Sequence, residues 1–460
     1  MDRKIKLFNP WWEENKIPQE LYSESYYSEY KFFDELLEDK KIITILGIRQ
    51  SGKTYILYSI INHLFQKNVP VNNVLFLSLD DKIINLDMAI SYYERIILKK
   101  KIQFSDETYY IFLDEIQLLS NWQEILSPYL DDSYPIKFIL ASSSEYFFNK
   151  KLLLIPEKYY GEFRIYPLNF YEFLKFNKVD IGNNRSQNDF NDFIDFNIII
   201  GNRLIFLEKI QELNSFLRQY LIKGGLYRYL KETNPLKKTL RIVSEVIDLA
   251  IYKDINLQHN LQNSRILEDL LLYIARNNST IFQSDKVTRL FGGISFSLIE
   301  KYISYLESSF LIHSISNLST DTSKSQTSSK KIYFSDVGIR NALIGNYSLD
   351  LKDINQLVEN LVFLHLFSIK NRYNFQIGYW RKSNFYIDLV IDNNKIKLPI
   401  IINYKTKEEK TVEKNLLRFF EEENCKRGII ITKEDFDIIE KDNYQVLKIP
   451  ASIFLLGASN

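Results

Sequence analysis

The feature that most constrains this chain is the stretch 47–54, whose two glycines, lysine and threonine fit the pattern G-x-x-x-x-G-K-[ST]. It follows an apolar run at 41–46 and opens a helical pattern at 53–67, which is the strand–loop–helix setting that the pattern requires. Glycines let the backbone wrap an anion with its amides turned inward, and the helix N-terminus adds positive potential. The sequence therefore predicts a nucleotide phosphate loop formed by Gly47, Ile48, Arg49, Gln50, Ser51, Gly52, Lys53, Thr54 and Tyr55.

Two acidic residues supply the groups that such a loop needs for catalysis. Asp114 and Glu115 end the apolar run 109–113, and acids at the carboxyl edge of a parallel sheet face the ligand crevice. Lys53 is expected to reach the β and γ phosphates of ATP, and Thr54 and Asp114 are expected to hold Mg²⁺. Glu115 is expected to activate water as a general base, which favours hydrolysis over binding alone.

Short apolar runs alternate with helical patterns through the first 175 residues. The runs are rich in Ile, Phe and Leu without alternation, as in strands buried on both faces of a parallel sheet; they occupy 41–46, 74–79, 109–113 and 137–141. We expect a three-layer α/β core. The last run ends in Ser142 and Ser143, which either sense the γ-phosphate or cap a following helix, and both alternatives stay open.

Composition and charge exclude several classes of protein. The 59 Lys and Arg residues balance 58 Asp and Glu residues, so bulk charge does not attract nucleic acid. A single cysteine, Cys425, excludes an intramolecular disulfide, and the four histidines lie too far apart for zinc-binding spacing. The single cysteine also favours a cytoplasmic location. No apolar run reaches the roughly 18 residues of a membrane span, so we expect no transmembrane helix and no membrane partner.

The segment 264–315 predicts a winged helix. Its expected parts are a first helix at 285–291, a turn at Gly292 and Gly293, and a recognition helix at 295–307. Five basic and five acidic residues lie between 264 and 313, although a phosphate-binding face should be more basic. DNA and a partner protein both stay open as ligands, and the Lys-bearing run 316–331 would add contacts to DNA as a wing.

Several stretches together resemble a known family. They are Asn-Pro-Trp-Trp at 9–12, the phosphate loop, Leu-Asp-Glu-Ile-Gln at 113–117, Pro-Leu-Asn-Phe-Tyr-Glu-Phe at 167–173, Lys-Gly-Gly at 223–225, Lys-Ile-Tyr-Phe-Ser-Asp-Val-Gly at 331–338 and Glu-Asn at 359–360. The chain resembles prokaryotic AAA+ ATPases of the AAA_14 type that carry a C-terminal DUF4143 domain of restriction-endonuclease-like fold. The resemblance implies an ATPase core, a helical lid and this C-terminal α/β domain.

The arginine of that family pattern is displaced here. The family has Gly-Arg before the Pro-Leu signature, whereas this chain has Gly161-Glu162-Phe163-Arg164. Either Arg164 contacts the γ-phosphate in place of the family's arginine, or this chain has lost that contact. Arg49 within the loop is the other basic candidate.

The C-terminal domain carries an incomplete nuclease pattern. Nucleases of this fold use a carboxylate and then an acid and a lysine on the next strand, which together hold Mg²⁺ and activate water. Asp388 and Lys405 are present and Glu359 is a third candidate, but Asn403 stands where the second acid belongs. An amide oxygen brings no charge to a metal site, so we expect little or no DNA cleavage. An ordinary cross-strand ion pair is the alternative for Asp388 and Lys405.

The whole chain is thus predicted to contain six parts. They are an N-terminal arm (1–30), a P-loop ATPase core (31–178), a helical lid (179–258), a winged helix (259–316), a flexible loop (317–331) and a weakened endonuclease-like domain (332–460). We expect Mg²⁺-dependent ATP hydrolysis coupled to DNA or to a partner protein. The alternatives are a nucleotide-controlled switch or scaffold with negligible turnover and an ATP-dependent nuclease. The sequence leaves homo-oligomer formation open.

Overall fold

A computed structural model describes residues 2–22, 37, 40–80, 85–131, 133–146, 148, 156–180, 196, 207–261, 263–318, 329–346, 353–405, 409–441 and 443–457. Residues 181–195, at the start of the expected helical lid, are not among them, nor are residues 319–328 of the Lys-bearing run. The chain forms two compact units. Unit 1 comprises Met1–Ile165, Asp248–Gln262 and Ser308–Phe310, and unit 2 comprises Tyr166–Ile247, Asn263–Glu307 and Leu311–Asn460.

Unit 1 is built on a five-stranded parallel sheet. Its strands are β1 (Ile42–Leu46), β2 (Val74–Ser78), β3 (Tyr109–Asp114), β4 (Ile136–Ser142) and β5 (Tyr160–Arg164), in the order β2-β3-β4-β1-β5. All residues of β1 and most of β2, β3 and β4 are buried, which explains their continuous apolar sequences. The predicted parallel α/β core is confirmed.

Helices cover this sheet and connect its strands. Those of unit 1 and the segment that leads back into it are Asp2–Phe8, Trp11–Glu14, Lys53–Gln66, Leu86–Tyr92, the wider turns Tyr93–Leu98, Trp122–Leu126, the wider helix Val243–Ile255, and Asn256–His259. Short 3₁₀ turns lie at Gln19–Leu21, Val71–Asn73, Ile102–Phe104, Ile116–Leu118, Ser127–Leu130 and Glu157–Tyr159.

The Asn-Pro-Trp-Trp opening covers the exposed side of the edge strand β2. The Asn9 side chain accepts a hydrogen bond from the Phe76 amide at 2.6 Å and donates one to the Phe76 carbonyl at 2.8 Å. The indole nitrogens of Trp11 and Trp12 both donate to the Val74 carbonyl, and Trp11 is fully buried. The motif therefore supplies hydrogen-bond partners to the free edge of the sheet, which indicates a packing role.

Unit 2 contains a six-stranded mixed sheet. Its strands are β9 (Gln376–Lys382), β10 (Phe385–Asp392), β11 (Lys397–Ile402), β12 (Arg427–Thr432), β13 (Asp437–Lys441) and β14 (Tyr444–Pro450), in the order β13-β14-β12-β11-β10-β9. β11, β12 and β14 run parallel, whereas β9, β10 and β13 pair antiparallel with their neighbours. This is the separate C-terminal α/β domain that was expected.

A second, smaller sheet lies between the helices of unit 2. It contains β6 (Ile281–Gln283), β7 (Ile312–Ser316) and β8 (Ser329–Phe334), with β8 in the middle. The helices Ser284–Leu290 and Phe296–Ser308 lie within one residue of the predicted helix pair. Gly292 and Gly293 between them adopt positive φ angles of 73° and 84°, as a glycine turn requires.

The remaining helices of unit 2 complete its core. They are Phe170–Phe176, Ile210–Lys223, Tyr227–Leu230, Pro235–Ile242, Ser264–Arg276, Val337–Ile344, Ile354–Ile369, Glu409–Glu423 and Ala451–Gly457. The helices Phe170–Phe176, Ile210–Lys223, Ile354–Ile369 and Ala451–Gly457 share one apolar cluster with residues of β10, β11, β12 and β14. The helix Glu409–Glu423 packs in a second cluster with other residues of the same sheet. Among the described residues, no helix is both long and apolar enough to cross a membrane.

Three of the family-like signatures meet at one point of unit 2. The Gly225 amide donates to Asp336 at 2.5 Å, and the Leu168 amide donates to the Gly225 carbonyl at 2.9 Å. Asp336 also caps the helix Val337–Ile344 by accepting from the Ile339 amide. A Cβ on Gly224 would lie 2.2 Å from the Asp336 carboxylate, so only glycine fits there. These signatures are explained by packing.

Candidate nucleotide-binding site

The predicted phosphate loop connects β1 to the helix Lys53–Gln66 in unit 1. A Cβ on Gly47 would lie 2.5 Å from the Ile165 carbonyl oxygen, and Gly52 has a φ of 101° at the helix start. Both glycines are therefore required by the backbone path. Gln50 also adopts a left-handed conformation, Ile48 and Ser51 are buried, and Tyr55 is 41% exposed.

The loop lysine lies across the loop itself. The Lys53 ammonium donates to the Gly47 and Ile48 carbonyls, each at 2.9 Å. Burial holds the pKa of Lys53 below its usual range, although the carboxylates of Glu115 and Asp114 oppose that shift. An anionic ligand in the loop would attract this ammonium away from the two carbonyl oxygens.

Thr54 and Asp114, the two expected metal ligands, are in direct contact. The Thr54 hydroxyl donates to Asp114 Oδ2 at 2.6 Å. Asp114 ends β3 and is buried, and burial, with the adjacent Glu115 charge, raises its pKa to about 6. A hydroxyl and a carboxylate that share one position are oxygen donors of the kind that Mg²⁺ prefers.

Glu115 is held in an unusual backbone conformation next to these ligands. Its φ is 56°, in the left-handed region that non-glycine residues rarely adopt. Its carboxylate accepts hydrogen bonds from Gln117 and from the Ser143 hydroxyl, the latter at 3.0 Å. Burial opposes its ionisation, but the charges of Lys53 and Arg49 and these hydrogen bonds together lower the pKa of Glu115. Glu115 is therefore ionised at neutral pH, as a general base must be.

Arg49 forms a buried ion pair that the sequence did not indicate. Its Nε and Nη2 donate to the two carboxylate oxygens of Asp254 at 2.6 and 2.7 Å, and both side chains are buried. The Arg49 guanidinium also lies 3.6 Å from Glu115 Oε2. Asp254 is 205 positions from Arg49 and belongs to no recognisable motif, so only the folded structure identifies it.

The two serines at the end of β4 have different surroundings. Ser143 Oγ lies 3.0 Å from Glu115 Oε2 and 3.2 Å from Asp254 Oδ2, and it accepts from Gln117 Nε2 at 2.8 Å. Ser142 Oγ lies 3.0 Å from Gln117 Oε1 and 2.7 Å from the Ser144 carbonyl oxygen. Gln117 thus connects both serines to Glu115; its place two residues after the acidic pair was the one available sign of this role.

Arg164 lies at the end of β5, the neighbour of β1, and is held by two carboxylates. It pairs with Glu145 at 2.5 Å and with Glu162 at 2.6 Å. Burial opposes its charge, but these two carboxylates raise the pKa of Arg164 above its usual range. Reading of the γ-phosphate by Arg164 stays a prediction.

The nuclease-like residues lie in unit 2. Glu359 and Asp388 are brought together around the ammonium of Lys331, which the sequence did not single out for this position. Asn403 and Lys405 follow the end of β11, and the Lys405 amide donates to the Asn355 side chain at 2.7 Å. Lys405 itself is exposed.

Comparison with other proteins identifies the parts of the chain. Residues 39–174 match the AAA domain family, 214–350 match DUF8612 and 355–452 match DUF4143, the last two being domains of unknown function. An uncharacterized protein of Haemophilus influenzae is 24% identical over 432 residues, covering 92% of this chain and 98% of that protein. The uncharacterized protein MJ1544 of Methanocaldococcus jannaschii is 28% identical over 358 residues, covering 76% of this chain and 72% of that protein.

Solved structures give a weaker likeness. The ORC2 protein of Aeropyrum pernix, in ADPNP and ADP complexes, aligns with a TM-score of 0.34 at 12% identity, over 73% of this chain and 96% of that one. The ORC1 protein of the same organism, in complex with DNA, gives a TM-score of 0.28 at 12% identity over 69% of this chain and 91% of that one. The family matches and the five-stranded parallel sheet agree with the sequence motifs. The chain therefore carries a segment that matches the AAA domain family, with the parallel sheet and phosphate loop of a P-loop NTPase, and a C-terminal segment that matches DUF4143.

Proposed function

We propose that this protein hydrolyses ATP in a Mg²⁺-dependent reaction at the phosphate loop of unit 1. The observation that carries the proposal is the contact of Thr54 with Asp114, next to an ionised Glu115. A loop for the phosphates, oxygen ligands for a metal and a general base are the parts that phosphoryl transfer to water requires.

Thr54 and Asp114 would hold the metal ion. Bound there, Mg²⁺ would neutralise charge that develops on the phosphate oxygens. The loop amides would cradle the phosphates at the N-terminus of a 14-residue helix, and Lys53 would turn from the Gly47 and Ile48 carbonyls towards them.

Glu115 would orient the attacking water and accept its proton. Gln117 and Ser143 position the carboxylate through their hydrogen bonds. Arg49 would supply positive charge to the γ-phosphate, in the role that the displaced Gly-Arg pattern leaves open. Its ion pair with Asp254 keeps it beside the loop and beside Glu115.

The test is Mg²⁺-dependent phosphate release by the full chain and by Glu115→Gln. Loss of a positioned general base should reduce release roughly 10²–10⁴-fold while ATP binding persists. Glu124→Gln, an exposed glutamate on Trp122–Leu126, is the matched control and should leave the rate unchanged. If wild type binds ATP but releases no phosphate, the protein is a nucleotide-controlled switch.

We further propose that turnover is coupled to DNA through a winged helix built on β6, β7 and β8. Its second helix, Phe296–Ser308, exposes Ser297, Lys301 and Ser304 along one side, and none of the exposed residues of this described helix is acidic. Glu300 of the same helix is neutralised by Lys330 of β8 at 2.7 Å. Lys330 thus compensates one of the acidic charges that would repel DNA from this helix.

The DNA proposal is tested by adding duplex, single-stranded or branched DNA to the phosphate-release assay at two salt concentrations. Stimulation should fade as salt rises and should be reduced by Lys301→Glu, with Lys231→Glu, an exposed lysine on another helix connection, as control. Turnover that ignores every DNA would instead favour a partner protein. The exposed apolar side chains of Leu290 and Phe296 beside the glycine turn suit that alternative.

A further inference from the structure

Two acids of the nuclease-like pattern, Glu359 and Asp388, lie around the ammonium group of Lys331. Lys331 Nζ lies 2.7 Å from Glu359 Oε1, 3.1 Å from the Asp388 carbonyl oxygen and 3.7 Å from Asp388 Oδ1. The exposed fractions of Lys331, Glu359 and Asp388 are 6%, 5% and 5%. The cluster is therefore closed to solvent.

The three side chains come from three different elements of unit 2. Glu359 belongs to the helix Ile354–Ile369, Asp388 to β10, and Lys331 to β8, the central strand of the smaller sheet. Tyr333, two residues along β8 and thus on the same face, also donates to Glu359 Oε1 at 2.7 Å. One face of β8 therefore directs two donors at one carboxylate.

The second carboxylate oxygen of Asp388 is also engaged. Asp388 Oδ2 accepts from the Ile402 amide of β11 at 2.8 Å. A buried carboxylate is costly unless a positive group and hydrogen bonds compensate it, and here the protein supplies both. Burial still dominates at Glu359 and raises its pKa to about 7, against the opposing effect of Lys331.

We propose that the Lys331 ammonium replaces the divalent cation of a nuclease-like site, so that Glu359 and Asp388 form an ionic joint fixing β8 to the C-terminal domain. A metal ion would have to expel a buried, hydrogen-bonded ammonium, and a phosphodiester would have to reach side chains that are almost fully enclosed. The joint is independent of the proposed ATP hydrolysis, since none of its residues belongs to unit 1.

One alternative is that Lys331 is the lysine of a working nuclease, in place of Lys405. A catalytic lysine has to reach the scissile phosphate together with the metal. The two roles differ in what removal of the lysine does. In the joint, removal leaves an uncompensated acid pair that can accept a cation; in a nuclease, removal abolishes cleavage and leaves an existing metal site in place.

The experiment measures Mn²⁺ binding by electron paramagnetic resonance on nucleotide-free full chain, together with thermal melting and Mn²⁺-dependent DNA cleavage. Wild type is expected to show no Mn²⁺ site that Asp388→Asn removes, and no cleavage. Lys331→Met is expected to gain such a site or, if the pair cannot tolerate the vacancy, to melt at a markedly lower temperature. In the second case Lys331→Met combined with Glu359→Gln should recover part of the lost melting temperature, because one of the two buried carboxylates is then neutral.

Two results would overturn the joint. One is a stoichiometric Mn²⁺ site or DNA cleavage in wild type that Asp388→Asn or Glu359→Gln abolishes. The other is a Lys331→Met protein that melts like wild type and binds no Mn²⁺. Neither result depends on whether ATP is hydrolysed, so the two proposals fail separately.

Discussion

The guanidinium of Arg49, inside the phosphate loop, makes two hydrogen bonds to the carboxylate of Asp254, 205 positions later in the chain. The same guanidinium touches Glu115, and the same carboxylate lies 3.2 Å from the Ser143 hydroxyl. The phosphate loop, the proposed base and the end of β4 are thus connected through one buried ion pair. This connection underlies the role proposed for Arg49.

Removing one partner of the Arg49–Asp254 ion pair should lower the free energy of unfolding. Asp254→Ala leaves a buried guanidinium with one carboxylate fewer, and we expect a loss of about 3–5 kcal/mol of unfolding free energy for unit 1. Glu13→Ala removes the exposed pair of Glu13 with Lys6 in the same unit and should cost about 0–1 kcal/mol. Denaturant unfolding followed by tryptophan fluorescence checks both.

The double variant Arg49→Ala with Asp254→Ala completes the cycle. It should be less destabilised than the sum of the single variants, because both charges leave together. Simple additivity of the two losses would show that the pair does not act as a unit.

Removal of the Thr54 hydroxyl should weaken the binding of the Mg²⁺ ion that phosphate release requires. Thr54→Ala is expected to raise the Mg²⁺ concentration for half-maximal release on the order of tenfold, whereas Thr54→Ser keeps the oxygen donor. Ser59→Ala removes another buried hydroxyl from the same helix and serves as control. An unchanged Mg²⁺ titration in Thr54→Ala contradicts the assignment of Thr54 as a ligand.

Acid should destabilise unit 2 through His365. Its Nε2 accepts from the Phe170 amide at 2.9 Å, its Nδ1 lies 2.8 Å from the Leu361 carbonyl, and burial lowers its pKa to about 4. Below pH 6.5 the unfolded chain binds a proton that the folded chain refuses, so stability falls as the pH drops. The expected loss at pH 5 is about 2 kcal/mol.

Melting temperatures at pH 7 and pH 5 measure this effect. The gap between wild type and His365→Gln should narrow at pH 5, since the variant no longer carries the titrating group. His63→Gln, on the helix Lys53–Gln66, controls for loss of a histidine elsewhere. An equal difference in melting temperature between wild type and His365→Gln at both pH values would show that His365 does not cause the acid destabilisation.

Alanine substitution at two glycines would distinguish the cost of backbone strain from the cost of a steric clash. Gly224 and Gly293 both have positive φ, at 70° and 84°, but a Cβ on Gly224 would lie 2.2 Å from Asp336 whereas one on Gly293 would meet nothing within 4 Å. Gly293→Ala should cost about 1–2 kcal/mol for the left-handed backbone alone. Gly224→Ala should cost clearly more, as measured by thermal melting, and equal losses would contradict the close packing of Gly224 on Asp336.

The local patterns of the sequence predicted the phosphate loop, the acidic pair and the parallel sheet. Each depends on residues adjacent in the chain: Gly47 and Lys53 in one loop, Asp114 and Glu115 at one strand end. The helix pair of the smaller sheet was predicted to within one residue at each end, because Gly292 and Gly293 interrupt two periodic stretches.

Contacts between distant segments were not predictable in this way. Asp254 contacts Arg49 from a helix without a recognisable motif. Lys331 contacts Glu359 from β8, and its sequence signature indicated only the family resemblance. The nuclease pattern placed Asn403 and Lys405 in frame with Asp388, but β11 ends at Ile402. Which charge a buried carboxylate meets after folding depends on segments far apart in the chain, so local sequence patterns do not predict it.

The most direct test of the central claim is steady-state phosphate release from MgATP by wild type and Lys53→Ala, measured alongside ATP binding by the same samples. Lys53 is buried within the loop and donates only to loop carbonyls among its hydrogen bonds described here, so its removal should spare the fold. We predict turnover by wild type and its loss in Lys53→Ala. Equal release by both proteins, or tight ATP binding by wild type without any release, would contradict hydrolysis at this site.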